Sequence, residues 1–307
     1  MRQPSFSIVV ESANMGPSGL GELRACLSSL GRQPELASAR DVVVLAAPPV
    51  HGIAAELSAD FAFVRVEESP LGTYAAMKAE AASLVHGDVV LLCDSDCTYQ
   101  PGWVSSMLAP FSEPTVDVVA GETAIRVRGP YSLAVALAFN FPPYSGDRGP
   151  APARRYWANN VAMRRELLRR VAPPIDGDLG RGHCVLHAQQ LLDDGATIVR
   201  QPRARAVHAT PPLTAFAGRF YALGRDRVLL DRRQKGRPAR RPGAFPPDRD
   251  GQAPAQRISA RLRLIVDREP RLVFAVPFAI PIVAAAAACH EAGRAVTTRK
   301  LARVESP

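Results

Sequence analysis

The most constraining feature of the sequence is the apolar run Val89 to Cys93, which ends directly in Asp94, Ser95 and Asp96. The run has no polar alternation, as expected of a central parallel strand that is covered on both faces. Ligands bind beyond the carboxyl ends of strands in open α/β sheets, so the two acids lie where a ligand is expected. In extended backbone Asp94 and Asp96 point to the same side, where they could approach one Mg²⁺ or Mn²⁺ ion.

Strand-like and helix-like segments alternate through the first part of the chain. The other apolar runs typical of strands are Phe6 to Val10, Val42 to Leu45, Phe61 to Val66 and Val116 to Ala120. Between the first two, leucines at three- and four-residue spacing predict a helix with one face on the sheet: Leu20, Leu23, Leu27 and Leu30. The alternation predicts an α/β fold with a mixed, mainly parallel sheet flanked by helices.

The cysteines and the net charge indicate the cellular compartment and the kinds of partner that the protein could bind. The five cysteines are an odd number at unrelated spacings, which favours a reducing cytoplasm over a disulfide framework. The first ten residues lack the pattern of a secretory signal, so export of the catalytic part is not expected. A net charge of +9 suits nucleic acid, anionic lipid or phosphorylated ligands. Since the basic residues are not interleaved with aromatic ones, we expect no nucleic-acid partner.

The C-terminal part differs in composition from the rest. Residues 1–230 are predicted to form the main domain, residues 231–256 a basic linker rich in proline and glycine, and residues 257–307 an apolar helical segment. Leu272 to Cys289 carries no charge and approaches the length needed to cross a bilayer, although Pro277 and Pro281 interrupt it.

Arginines precede this apolar segment, and together the two features predict a membrane-associated tail. The protein is then expected at the cytoplasmic face of the cell membrane, either peripheral or anchored by the C-terminal segment. The alternative is a soluble cytoplasmic protein in which Leu272 to Cys289 is a buried pair of helices and the arginines are solvated.

The residues around the two acids resemble a known motif. The string Gly87-Asp88-Val89-Val90-Leu91-Leu92-Cys93-Asp94-Ser95-Asp96-Cys97, followed by Pro101-Gly102-Trp103, is similar to the central motif of the family 2 glycosyltransferases. The resemblance covers about the first 210 residues. It implies a GT-A fold, a Rossmann-like nucleotide-diphospho-sugar transferase domain, with a C-terminal helical tail added here.

The resemblance also implies an activity and a metal site. The expected reaction is a metal-dependent, inverting transfer of a hexose from a nucleotide-sugar donor to a hydroxyl of a glycan or lipid-linked acceptor. By similarity, Asp94 contacts the ribose of the donor or the metal, and Asp96 ligates Mg²⁺ or Mn²⁺. His208 follows a strand-like run at a place where the family often has a histidine that joins the metal or diphosphate site. It could equally cap a strand or face solvent.

Other residues are candidates for contacts with the substrates. Trp157, Asn159 and Asn160 could form a wall for a sugar, because amide and aromatic side chains suit hydroxyls and ring faces, or they could form a turn and pack in the core. Glu11 follows the first strand and could contact the donor, unless it is a surface charge. Lys78 could meet a diphosphate as a point charge or lie on a solvated helix face.

The sequence departs from the family at two positions. Where many relatives carry a Glu-Asp pair whose aspartate is the general base, this chain reads His183-Cys184. His183 is a candidate base because the pKa of an unperturbed imidazole lies near neutrality. Asp178, with Asp176, is an alternative base or part of a solvated acidic turn. The second strand ends in Ala46-Ala47-Pro48, where relatives place an acid and a serine around the nucleotide base, so base recognition stays open.

Two competing functions remain. The missing Glu-Asp pair permits a catalytically impaired relative that binds nucleotide sugar or organises a membrane complex. Nucleotidyl transfer would need a basic, glycine-rich loop after the first strand, and the stretch Glu11 to Gly19 contains no Lys or Arg. The sequence determines neither the sugar, the nucleotide base nor the oligomeric state.

Overall fold

A computed structural model describes residues 3–13, 15, 19–47, 54–175, 179–234 and 252–305. Asp176, Asp178 and most of the predicted linker lie outside these residues. The chain divides into two compact units, which are described separately. The sheet unit contains Met1–Ala124, Tyr144–Ile175 and Cys184–Ala209, and the helical unit contains Ile125–Pro143, Asp176–His183 and Thr210–Pro307. The helical unit therefore draws on two segments of the predicted main domain as well as on the C-terminal part.

The described residues of the sheet unit form one sheet of nine strands. In chain order the strands are β1 (Phe6–Glu11), β2 (Val42–Ala46), β3 (Arg65–Glu68), β4 (Val89–Asp94), β5 (Cys97–Tyr99), β6 (Val118–Ile125), β7 (Ala151–Pro152), β8 (Asn160–Arg164) and β9 (Ile198–His208). Their spatial order is β3-β2-β1-β4-β8-β6-β9-β5, and β7 pairs with β9.

The helices are also numbered along the whole chain. They are α1 (Gly19–Gly31), α2 (Ala54–Asp60), α3 (Tyr74–Leu84), α4 (Trp103–Leu108), α5 (Pro130–Ala138), α6 (Arg165–Arg170), α7 (His183–Asp193), α8 (Leu213–Gln234), α9 (Pro254–Arg268) and α10 (Val276–Glu305). A 3₁₀ turn, Pro270–Ala275, joins α9 to α10. Of these, α5, α8, α9 and α10 belong to the helical unit.

The predicted mixed α/β fold with flanking helices is confirmed, and the sheet has a parallel and an antiparallel half. Strands β3, β2, β1 and β4 are parallel neighbours, whereas β8 runs antiparallel to both β4 and β6, and β9 runs antiparallel to β5 and β7. The prediction of a mainly parallel sheet therefore holds only for the first four strands. Parallel neighbours need crossover helices, and the alternation of strands and helices that revealed them is regular only there.

Two predicted elements differ in their details. The third strand begins at Arg65 and not at Phe61, because the residues before it form a turn closed by the Val64 N–H and the Phe61 carbonyl at 2.9 Å. On α1, three of the four predicted leucines are fully buried, while Leu20 lies at the edge and is partly exposed. Every residue of β4 is buried, as its uninterrupted apolar sequence predicted.

In the helical unit a buried arginine terminates α5. The Arg261 guanidinium, on α9, donates hydrogen bonds to the carbonyls of Ala136, Leu137 and Phe139. The last carbonyls of a helix have no partner within the helix, and a cation also suits the negative end of the helix dipole. Arg261 therefore has a structural role, unlike its exposed neighbours Arg257 and Arg263.

Two glycines allow α8 and α10 to pack closely. A Cβ atom on Gly224 would lie 1.9 Å from the His290 carbonyl oxygen, and one on Gly293 would lie 2.1 Å from the Tyr221 carbonyl oxygen. Real Cβ atoms do not approach backbone oxygens so closely, so a larger residue at either position would push the helices apart.

We predict that Gly224→Ala destabilises the protein by about 2–3 kcal/mol, because the new methyl group overpacks the α8/α10 contact. Gly218→Ala, on the same helix, is the matched control, since a Cβ there would meet nothing within 4 Å. That change should be neutral or stabilising by up to about 1 kcal/mol through helix propensity. Urea denaturation followed by circular dichroism measures both, and equal effects of the two substitutions would contradict the packing argument.

Candidate active site

The two aspartates lie at the end of the central strand, and both are buried. Asp94 is the last residue of β4, and Asp96 lies in the turn that leads into β5. Each carboxylate has its own set of partners within the protein. Within the part of the chain that the structure describes, no three His, Cys, Asp or Glu side chains are grouped to hold a metal ion.

Asp94 is paired with a buried lysine. The Lys78 Nζ atom lies 2.7 Å from Asp94 Oδ1, 2.6 Å from the Cys93 carbonyl and 2.9 Å from the Ala158 carbonyl. An ammonium group has three hydrogens, and these contacts use all of them. Lys78, only 2% exposed, is therefore neither on a solvated helix face nor directed at a diphosphate. Its place in the structure is that of the counter-ion that holds Asp94.

The surroundings of this pair keep the lysine charged. Burial acts to lower the pKa of Lys78, but the charge of Asp94 and its hydrogen bond to the lysine help to raise the pKa above its usual value. The Tyr74 hydroxyl lies 3.3 Å from both carboxylate oxygens of Asp94. The position and charge of Asp94 thus depend on two residues, four positions apart, on α3.

Glu11 lies beside Asp94 in the sheet and is fully buried. The last residues of the parallel strands β1 and β4 are register partners, which brings the two acids together. Burial and the charge of Asp94 raise the pKa of Glu11 well above its ordinary value. One carboxyl oxygen of Glu11 accepts the Ala13 N–H at 2.7 Å. Glu11 is therefore shifted towards its protonated form, in which it adds no negative charge to the site.

Asp96 is paired with His208, the last residue of β9. The His208 Nε2 atom lies 3.2 Å from Asp96 Oδ2, and both side chains are buried. Strand pairing produces this contact, because β5 and β9 place Cys97 opposite His208, and the Ala209 N–H donates to the Asp96 carbonyl at 2.8 Å. The Cys97 thiol lies 3.7 Å from Asp96 Oδ1. Two residues distant in sequence are thus fixed side by side.

The tautomer of His208 determines which of its ring nitrogens can bind a cation beside Asp96. Its Nδ1 atom lies 2.6 Å from the Ala209 carbonyl, so Nδ1 carries a hydrogen and donates it. In the neutral ring the lone pair of Nε2 then faces a carboxylate oxygen, which is favourable only with a proton or a cation shared between them. A carboxylate oxygen of Asp96 and the Nε2 atom of His208 would be suitable ligands for Mn²⁺ or Mg²⁺.

Of the three predicted sugar-binding residues, two are buried and one is partly exposed. The Asn160 side chain donates to the Glu122 and Ala204 carbonyls at 2.9 and 3.0 Å, and accepts the Trp103 indole N–H at 2.8 Å. Its amide group therefore joins β8 to β6, β9 and α4. It is buried and is placed to support the sheet instead of a sugar.

Asn159 and Trp157 have different environments from Asn160. Asn159 is buried, and its side-chain oxygen accepts the Thr123 hydroxyl at 3.0 Å. Trp157 is partly exposed, and the Arg155 guanidinium lies 5.5 Å from the centre of its ring. Of the three predicted residues, Trp157 therefore offers the most accessible surface to a ligand.

The candidate bases are at the start of α7. His183 is the first residue of this helix and belongs to the helical unit, and its Nε2 atom lies 2.6 Å from the Leu179 carbonyl. Nε2 therefore carries a hydrogen, and Nδ1 is the basic nitrogen of the neutral ring. Burial raises the pKa of Cys184 to about 11, and the charge of Asp94 contributes to the rise. The alternative base Asp178 is outside the described residues.

Two tyrosines at the site were not among the predicted residues. Tyr74 contacts Asp94 as described above, and the Tyr99 hydroxyl accepts the Asp94 N–H at 3.2 Å and donates to the Asn159 carbonyl at 2.8 Å. Tyr74 could have been found from the sequence, because it lies four residues before the candidate Lys78 and residues at that spacing share a face of a helix. No comparable sequence pattern singled out Tyr99.

Comparison with known proteins places the chain among sugar-transferring enzymes. The family model described as glycosyl transferase family 2 matches residues 20–171. No curated protein matches the sequence.

Two solved structures are similar in fold. A mannosyltransferase, PcManGT from Pyrobaculum calidifontis, in complex with GDP-Man and Mn²⁺, is 19% identical, with a TM-score of 0.52, over 100% of this chain and 82% of that one. GalNAc-T7 with UDP, GalNAc and Mn²⁺ is 14% identical, with a TM-score of 0.53, over 67% of this chain. This chain spans 44% of the length of GalNAc-T7. At these identities the likeness establishes the GT-A fold.

We predict that Lys78→Met destabilises the protein by about 3–5 kcal/mol, because it leaves the Asp94 carboxylate buried without its counter-ion. The double variant Lys78→Met/Asp94→Asn should recover most of this loss, since it removes the stranded charge as well. Lys300→Met, at an exposed position, is the control and should have little effect. Urea denaturation in the presence of a chelator measures the wild type, these three variants and Asp94→Asn, and additive effects of the two site substitutions would contradict the pairing.

Proposed function

Because this chain belongs to the family 2 glycosyltransferases, we propose that it transfers a hexose from a nucleotide-diphospho-sugar to an acceptor hydroxyl, using a divalent metal ion at Asp96. The observation that carries the proposal is the buried Asp96–His208 pair, whose facing oxygen and nitrogen atoms suit a cation. The similar structures were solved with UDP or GDP-Man and Mn²⁺, which supports a nucleotide-sugar donor and a metal for this chain as well.

In this proposal Asp96 and His208 would hold Mn²⁺ or Mg²⁺. When bound, such an ion neutralises the charge that develops on the nucleoside diphosphate as the sugar departs. The chain's own contribution is to present two ligands that are already fixed, because backbone pairing of β5 and β9 orients both residues before any ligand binds. Preorganised groups of this kind need no rearrangement during the reaction.

The charge of the site fits a dianionic donor and a divalent ion. Lys78 neutralises Asp94, and the raised pKa of Glu11 favours its uncharged form. Asp96 is then the main negative charge that meets the cation. If all three acids were ionised without the lysine, they would repel a diphosphate strongly in this buried setting. We propose that Asp94, oriented by Lys78 and Tyr74, contacts the donor ribose or the metal, and that Glu11 lies near the donor.

We propose an inverting reaction in which His183 removes the proton of the acceptor hydroxyl. Cys184 occupies the position of the family's catalytic aspartate, but a thiol with a pKa of about 11 remains protonated near neutral pH and accepts no proton there. The basic Nδ1 of His183 is the better chemical choice. Asp178 is the alternative base, and Trp157 and Asn159 are proposed to contact the sugar substrates.

The proposed acceptor is a glycan or a lipid-linked sugar at the cytoplasmic face of the cell membrane. Support comes from the helical stretch Pro270–Val304, which is long and apolar enough to cross a membrane. It also comes from the arginines that precede this stretch in sequence.

A second candidate function is nucleotide-sugar binding without transfer, and the observation that favours it is the replacement of the Glu-Asp pair by His183-Cys184. Such a protein would bind the donor and the metal through Asp96 but would release no nucleoside diphosphate. The two functions therefore differ in turnover and not in binding.

We predict that the purified protein releases nucleoside diphosphate from one member of a panel of nucleotide sugars, and only with Mn²⁺ or Mg²⁺ present. Asp96→Asn and His208→Gln should lower the turnover at least about 100-fold, because each removes a proposed metal ligand. Glu113→Gln, an exposed acid outside the site, should retain full activity. Metal-dependent donor binding without release would support the binding function, and equal activity of Asp96→Asn and the wild type would overturn the site.

We predict that His183→Gln lowers the turnover by about 10²- to 10⁴-fold, since the imidazole is the proposed base. Cys184→Ser should change the rate by less than about threefold, because a thiol with a raised pKa takes no part in proton transfer at neutral pH. A steady-state pH profile with saturating acceptor measures both. The opposite ranking of the two variants would assign the base to Cys184.

A further inference from the structure

The 3₁₀ turn Pro270–Ala275 and the helix α10 that follows it have small residues inside and large apolar residues outside, which is the reverse of the usual order in a soluble protein. The residues that face the interior of the helical unit are small, namely Ala275, Ala279, Ala286, Gly293 and Thr297. Three large residues point outward, since Phe274, Phe278 and Ile280 are 79%, 66% and 61% exposed. A helix on the surface of a soluble protein normally buries its large apolar residues and exposes polar ones.

The exposed residues form a continuous apolar stripe along one side of the helix. Its members recur at three- and four-residue spacing and are Phe274, Pro277, Phe278, Pro281, Ala284, Ala285 and Ala288. Only 11% of the most apolar 18-residue window of this region is buried in the protein, so it is not a core helix. Apolar surface of this extent on a single chain marks a binding face.

The pattern on both sides of the helix identifies lipid as the occupant. Small residues at helix contacts and large apolar residues facing outward are typical of helices in a bilayer, where close backbone packing replaces the hydrophobic effect between helices. The small residues Ala275, Ala279 and Ala286 lie on the buried side of a helix that packs against α5 and α8. A surface that binds a protein partner does not require small residues on the buried side of the helix.

The ends of the stripe carry basic residues that suit anionic headgroups. Before it, the exposed arginines of residues 257–271 outnumber the acids: Arg257, Arg263, Arg268 and Arg271 against Asp267 and Glu269. After it, the sequence has Arg294, Arg299, Lys300 and Arg303 against Glu291 and Glu305. Each Lys or Arg near an anionic surface adds to the attraction, and salt weakens it.

The basic clusters at both ends of the stripe fit a helix that lies in the membrane surface, because one anionic leaflet can then meet both of them. Pro281 has no N–H to donate to the Pro277 carbonyl, and hydrated headgroups can satisfy that carbonyl. The opposite face of α10 is also covered by α5 and α8 of the same unit. A helix with one lipid face and one protein face fits an in-plane orientation.

We propose that the apolar stripe of α10 docks the protein in the plane of an anionic lipid surface. In this orientation the two phenylalanines insert about 5–10 Å into the boundary between headgroups and acyl chains. The inference makes the membrane location proposed above specific, and it is independent of the chemistry at Asp94 and Asp96.

The test is flotation of the full-length protein with vesicles of phosphatidylcholine alone or mixed with phosphatidylserine. We expect binding that is stronger with phosphatidylserine and weaker at high salt. Phe274→Asp/Phe278→Asp should lower the partition coefficient at least about tenfold, because two charges would enter an apolar environment. The control Leu213→Asp/Val304→Asp changes two exposed apolar residues of the same unit that lie outside the stripe, and it should bind like the wild type.

Three further measurements complete the test. Phe278→Trp should be quenched by brominated lipids while Leu213→Trp is not. Alkaline carbonate should release the wild type from membranes, and its retention would indicate a spanning helix and overturn the in-plane orientation. Light scattering could show that the wild type is a dimer that binds no vesicles and that the Phe274→Asp/Phe278→Asp variant is a monomer. The stripe would then be an interface between two copies of the chain, and the proposal would be wrong.

Donor turnover in lipid-free buffer separates this inference from the proposed function. The Phe274→Asp/Phe278→Asp variant should release nucleoside diphosphate at the wild-type rate, because the stripe is remote in sequence from the proposed donor site. Full turnover with no vesicle binding by the wild type would overturn the docking surface alone. Vesicle binding without turnover would leave the docking surface intact and count against the transferase activity.

Discussion

The buried ion pair between Lys78 and Asp94 is the interaction on which the candidate site depends. A carboxylate at the end of a fully buried strand would be strongly destabilised, and the lysine on α3 makes that position tolerable. The same ammonium group also holds the carbonyls of Cys93 and Ala158, so it fixes the strand end as well as the charge. Desolvation of these two charged groups costs free energy. A charged pair at this position is therefore more consistent with a functional site than with a purely structural one, and the end of this strand is where a GT-A fold binds its ligands.

The second half of the site is held by backbone pairing. Asp96 and His208 meet because β5 and β9 are antiparallel neighbours, and the ladder determines which residues face each other. One aspartate is therefore held by an ion pair and the other by strand register. This division explains why the two acids of one short motif have different environments. It also allows Asp94 to stay neutralised while Asp96 is available to a cation.

The helix α10 buries different residues from the elements of the sheet unit. In the sheet unit, large apolar residues lie inside, as in β4 and α1. In α10, glycine and alanine lie inside and phenylalanine lies outside, so tight backbone packing at Gly224 and Gly293 holds the helices together. The buried Arg261 completes this unit by satisfying the end of α5. The proposed contact of α10 with lipid would account for the presence of both arrangements in one chain.

Local periodicity and one contiguous motif were enough to predict the central strand, the first helix, the family and the position of Asp94 and Asp96. The apolar C-terminal segment could also be located, because composition is a local property. The contacts of the side chains became known only from the folded chain: Lys78 is the counter-ion of Asp94, Asn160 is a buried support of the sheet, and one face of α10 is exposed. Burial, strand register and helix packing join residues distant in the chain, and no local pattern records which distant groups will meet.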